Sequence, residues 1–240
     1  MSVVVDNLFS RDTYATRTER LIAIQGNFAA VQPFLNAPAE IADWAEDCKD
    51  VFTDLLAVAD VEKNESESAT IVVADAEALL EEEYQNARTL AKSIFVDEPK
   101  LYEQFSFTEI FPDKRDDKYN RVKSILTTYQ RFVADGTSPN LPATVMNRLI
   151  DARDDFDDAL VLQDKERGEA GVAQASLSDR FVSDSKMLNK LKSWWFAMMG
   201  KKDPRITWIG MVNPDYSGSG STPVPVPPAP TNLVYHSDVP

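Results

Sequence analysis

One cysteine, one histidine and eight glycines in 240 residues restrict the chemistry this chain can carry. A lone Cys48 leaves no intramolecular disulfide framework and no cysteine-rich zinc or iron–sulfur site. Because Cys48 falls on an apolar helical seam, it is expected to be a small buried side chain rather than a reactive thiol. The only histidine, His236, lies in the last few residues. Multi-histidine metal sites are therefore excluded, and a histidine-based triad would have to take its base from the tail. Neither a GxGxxG, a GxxxxGK[ST] nor a GxSxG string occurs, so nucleotide cradles and the serine-hydrolase elbow have no local support. No stretch approaches the roughly 20 apolar residues of a membrane span. The opening MSVVVDNLFSRD lacks the basic region and apolar run of a secretory signal. Positive charge is also scarce: 25 Lys and Arg face 39 Asp and Glu, for a net charge of -14 and a pI near 4.5. Such a chain repels a nucleic-acid backbone or an anionic membrane, so neither is expected as a partner. The simplest expectation is a protein folded in a cytoplasm at synthesis, with later residence in an assembled particle equally compatible.

What the sequence does contain is a stretch present twice. Residues 35–54 read LNAPAEIADWAEDCKDVFTD and residues 139–158 read PNLPATVMNRLIDARDDFDD. At a constant offset of 104 they share Asn36 with Asn140, Pro38 with Pro142, Ala39 with Ala143, Asp47 with Asp151, Asp50 with Asp154, Phe52 with Phe156 and Asp54 with Asp158. Average usage gives roughly one chance identity over that length. The apolar positions repeat as well: Ile41, Ala45, Cys48, Phe52, Leu55 and Ala59 form a helical seam, matched by Val145, Leu149, Ala152, Phe156 and Ala159.

An internal duplication follows as the expected architecture. Helix a is expected over Thr13–Leu35, ended by Pro33, and helix b from Pro38 to about Asn64. The polar cluster EKNESES reads as a turn, and helix c as running from Ser68 almost to Pro99. In helix c, Glu83 falls on the seam, where Tyr84 can turn in instead. Residues 100–112, KLYEQFSFTEIFP, lose the helical period and read as an extended segment. The second copy is expected to give helix a' over Asp117–Ala134 and helix b' over 142–167. A turn at Gly168 and Gly171 then precedes helix c', which runs toward Gly200, and an extended PRITWIGMVNP follows. The predicted fold is all-α: an elongated bundle of two tandem three-helix units, with helices b, c, b' and c' as a central antiparallel bundle. Its parts would be an N-terminal arm over 1–12, repeat 1 over 13–112, repeat 2 over 113–214, and a Gly/Ser/Pro-rich linker with a short strand over 215–240.

Residues 215–231 switch abruptly to glycine, serine and then alternating prolines, which can pack no core. The string PPAPTNLVY resembles the opening and first strand of a fibronectin type III module. It covers about ten residues of a module of roughly a hundred, and no domain is inferred from it.

Two clusters stand out chemically. Asp47, Asp50 and Asp54, and likewise Asp151, Asp154 and Asp158, line one stripe of a helix. Hard cations need oxygens converging from several elements, so a solvated acidic face is expected and no metal site. The second cluster, KSWWFAMM, surrounds its helix with apolar groups. Trp194, Trp195, Phe196 and Met199, together with Val224, Val226, Leu233 and Tyr235 of the tail, are the candidate interface residues. They are expected at a joint between the two copies or at a subunit contact. No catalytic or cofactor-binding residue is assigned. The expected function is a non-enzymatic structural or assembly subunit whose partners are itself or other subunits. The alternative is a soluble adaptor with a proline-rich tail read by a partner groove.

Overall fold

The computed structural model describes residues 9, 12–136, 140–201 and 203–211. The candidate interface residues Val224, Val226, Leu233 and Tyr235, both proposed arms and His236 lie outside or almost wholly outside that range. Among the described residues the protein is predominantly helical, with no strand.

Helix α1 spans Tyr14–Leu35. The Thr13 hydroxyl opens it by accepting from the Thr16 amide at 3.2 Å, which satisfies one of the free N–H groups of the first turn. Its other end closes on Asn36, left-handed at φ 41°, whose amide donates to Gln32 O. Pro33 sits inside the last turn and does not end the helix earlier. Next comes helix α2, Ala39–Ile94, whose first free amides, those of Ile41 and Ala42, donate to Pro38 O at 2.9 and 3.1 Å. The short helix α3 covers Pro99–Gln104, α4 covers Arg115–Ala134 and α5 covers Ala143–Met199. A 3-10 helix, Pro204–Ile209, follows.

Two expectations fail here for the same reason. EKNESES is no turn, because α2 runs unbroken through it for 56 residues. Gly168 and Gly171 mark no turn either, because α5 runs through them for 57. Glutamate and lysine are good helix formers, the first segment holds no glycine or proline, and Lys63 pairs with Glu67 one turn on at 3.7 Å. These stretches are polar because the helices are exposed there on nearly every face, with buried positions resuming at Ala59 and Ala69 on either side. The expected four long helices are therefore two. The expected extended segments are also corrected. Residues 100–112 carry α3 followed by turns, and the stretch after Gly200 carries the 3-10 helix. In both, a proline in the first turn supplies the fixed φ that a helix start accepts.

The chain forms two compact units, each drawing on both halves of the sequence. The first comprises the described residues of Met1–Asp60 and Val172–Pro240. Its core sets Leu21, Ile24 and Phe28 of α1 and Ala45, Cys48 and Phe52 of α2 against Leu188, Leu191 and Trp195 of α5, closed by Ile206 and Ile209. The second unit is Val61–Gly171. There Leu80 and Tyr84 of α2 pack with Val122 and Ile125 of α4, Leu149 and Phe156 of α5, and Phe105 and Phe107. Tyr84 turns fully inward and stacks on Phe111 with ring centroids 4.0 Å apart, and Glu83 is buried as well, 3.3 Å from Arg148. Within each unit α2 and α5 run antiparallel. Glu40 and Trp44 meet Lys190 and Asp184 in the first, and Thr70 and Glu83 meet Gln163 and Arg148 in the second.

Several local details recur 104 residues apart. Asn36 and Asn140 are both left-handed, at φ 41° and 55°, and so are Ser106 and Gly210, at 57° and 67°. Pro142 O accepts from Val145 and Met146 as Pro38 O does from Ile41 and Ala42. The carbonyls of Ser106 and Gly210 each accept from an arginine at 3.0 Å, although the donors, Arg121 and Arg20, stand 101 residues apart and not 104. The rings of Tyr14 and Phe181 meet at 5.6 Å, and at the corresponding places Lys118 Nζ meets Glu77 Oε1 at 2.9 Å. Gly210 is fixed by space as well as by φ, since a Cβ there would stand 3.0 Å from Ala23 Cβ.

Candidate functional site

The tryptophan-rich end of α5 divides by depth. Trp195 is wholly buried in the core of the first unit, so it belongs to that core and not to a surface. Trp194, Phe196 and Met199 are half-buried and pack against the same core. The Trp194 indole N–H donates to Leu35 O at 2.9 Å, which fixes its ring over the end of α1, and the Lys192 ammonium stands 5.5 Å from the Phe196 ring centre. Trp194 forms one wall of an open groove of about 740 Å³ whose other apolar walls are Pro38, Ile41 and Ala197, with Lys186, Lys190 and Glu40 along it.

The same unit holds a charged network that sequence patterning missed. Asp184 is completely buried; it accepts from Trp44 Nε1 at 2.9 Å and pairs with Arg180 Nε at 3.0 Å. Burial pushes its carboxyl above the ordinary range, and the Trp44 hydrogen bond and Arg180 only partly oppose that. Arg17, also fully buried, donates to Phe9 O at 2.6 Å and to Ser185 Oγ at 2.8 Å, and its guanidinium lies 4.1 Å over the Phe181 ring. Burial lowers its pKa, against the attraction of Asp12 and Asp184. Cys48 lies in the same unit, and burial, helped by Asp184, pushes its thiol up to about 12, far from a reactive thiolate. The network faces Phe181, Trp44 and the helix backbones, so its chemistry is that of a packed polar core.

The acidic stripes are surface features. Asp47, Asp50, Asp54, Asp151, Asp154 and Asp158 are all exposed, with Asp50 bound to Gln25 and Lys49 and Asp154 to Arg153. The carboxylates that do converge are others. Oxygens of Glu62, Glu166 and Glu169 lie within 4.8 Å of one another. Lys165 Nζ bridges two of them, at 3.0 Å to Glu166 and 3.1 Å to Glu169, and these bonds raise its pKa. Burial, with its glutamate neighbours, raises the Glu62 carboxyl. The signal in the sequence was Glu166 and Glu169 three apart on one helix, but nothing local places Glu62 beside them.

On the second unit, α2 and α5 enclose a shallow groove of about 460 Å³. Val72, Ala76 and Leu79 line one side and Ala159 and Leu162 the other, with Asp75, Asp155 and Asp158 at its edges.

Compared with known proteins, the chain matches no protein-family model, no curated protein and no solved structure. No helix among the described residues is long and apolar enough to cross a membrane.

Proposed function

We propose that this chain is a structural or assembly subunit of a multi-subunit particle, built by internal duplication of a segment of about 104 residues, with its terminal arms reaching neighbouring subunits. The observation that carries this reading is the apolar surface left along the two long helices. Ile71, Val72 and Leu79 on α2 and Val161, Leu162 and Val172 on α5 are all exposed, although each helix already contributes a full seam to a core. Apolar side chains repeated along helices that are already packed on another face suit a further layer of protein. The duplication is supported by the recurrence at 104 residues of left-handed asparagines and proline carbonyl caps.

Sedimentation velocity and negative-stain imaging of the purified full chain test the assembly reading: polymers or closed particles are expected, and a discrete small species at all concentrations overturns it. Deleting residues 216–240 is expected to leave the helical circular dichroism unchanged while assembly weakens; unchanged assembly removes the tail from the mechanism.

A second reading, an adaptor in which this chain supplies the groove rather than the proline-rich tail, is favoured by the groove beside Trp194. Aromatic-walled grooves accept extended proline-rich segments. Its distinguishing result is a monodisperse monomer that binds a proline-rich partner.

A further inference from the structure

The groove on the second unit has an internal comparison that separates what the fold requires from what it does not. It rests on the duplication proposed above. At a spacing of 104, Val72, Ala76 and Leu79 of α2 correspond to Ser176, Arg180 and Ser183 of α5 in the first unit. There the helix keeps its buried seam through Leu177 and Leu188, while Ser176 and Ser183 are exposed and Arg180 turns toward Asp184. The fold is thus satisfied with polar side chains at these three places. Val72 and Leu79 nevertheless stay apolar and exposed, at 44% and 41%, two turns apart on one face with Ala76 between them. Spacing of this kind matches the i, i+4, i+7 anchors by which one helix receives another.

The rim names the partner's charge. Asp75, Asp155 and Asp158 are exposed around the groove and none of its lining side chains is basic. A second copy presenting the same groove would set aspartates against aspartates, on a chain of net charge -14. We propose that this groove docks an amphipathic helix of another protein, one with an apolar stripe flanked by Lys and Arg.

The test uses the full chain and a fluorescein-labelled synthetic helix of about 18 residues, five turns, carrying leucines on one face and lysine and arginine beside it. A scrambled peptide of equal composition is the control. In fluorescence anisotropy at physiological salt, the amphipathic peptide is expected to bind at least about tenfold more tightly than the scrambled one. The double variant Val72→Ser, Leu79→Ser, which installs the residues of the first unit, is expected to remove that difference and to melt like the parent. Val172→Ser with Val182→Ser, also exposed but outside the groove, is expected to leave binding unchanged. Equal binding of both peptides, or binding indifferent to Val72→Ser and Leu79→Ser, reduces the effect to bulk charge and overturns the proposal. So does absence of binding up to about 100 µM. A double variant that fails to fold shows that the fold does need these side chains, and a double variant that loses self-association assigns the groove to a second copy; either result also overturns it. Peptide binding by a chain that forms no particles keeps the docking site and removes only the assembly reading.

Discussion

Phe52 and Phe156 are each wholly buried, one in each core, at places 104 residues apart. Phe52→Ala and Phe156→Ala are each expected to cost about 3–5 kcal/mol, the range for removing a buried aromatic ring, and urea denaturation measures both. A near-neutral result for one of them would break the equivalence of the two sites. Asp184→Ala is expected to be as damaging, at about 3–5 kcal/mol, because it strands Arg180 and the Trp44 N–H beside a dry core. Asp184→Asn, which keeps an oxygen for Trp44, is expected to lose less in the same measurement. Opposite pH dependences follow at two carboxylates. Burial opposes ionisation of Glu77, but its bonds to Lys118 and Arg115 prevail and hold its pKa below the ordinary 4.5. Its contribution to stability is therefore present above 4.5 and lost as pH falls through the depressed value. The destabilisation caused by Lys118→Met, compared by urea midpoints at about pH 7 and about pH 3.5, is expected to shrink at the lower pH. Asp184, raised above 3.8, acts the other way, its folded form holding a proton more tightly than the unfolded chain, so its contribution declines as pH rises from 3.8 through the folded value.

Among the elements, α1 and α4 were legible in the sequence because one apolar seam marks each of them. The continuity of α2 and α5 was not. A run of charge looks the same whether the chain turns or a helix stands exposed all round, and periodicity falls silent in both cases. Arg17 and Asp184 stayed hidden for a related reason. A charged residue at a seam position reads as an edge, and only its partners, Phe9 O, Ser185 and Trp44, drawn from distant parts of the chain, make its burial tolerable. The glycines give a direct test of continuity. Nothing lies within 4 Å of a Cβ added at Gly168 or Gly171, and neither has a positive φ. Gly168→Ala and Gly171→Ala are each expected to raise stability, by up to about 1 kcal/mol, as in a helix interior. Lowered melting temperatures would instead indicate a turn that needs glycine.

At the scale of the whole molecule, the first core joins segments from opposite ends of the sequence while the second is continuous, and this sets an order of events during synthesis. The second unit, Val61–Gly171, is one continuous stretch and can close once its last residue has left the ribosome. Residues of the first unit emerge before it, yet Phe28, Cys48 and Phe52 have no lid until Leu188, Trp195 and Ile209 follow. At roughly 5–20 residues per second, that leaves the apolar faces of α1 and the start of α2 uncovered for on the order of 8–30 s. A nascent chain stalled at a point where Gly171 has just cleared the ribosome should therefore protect the middle of the protein from protease while its first 60 residues stay cleavable, an inversion of the usual order in which the N-terminal part folds first.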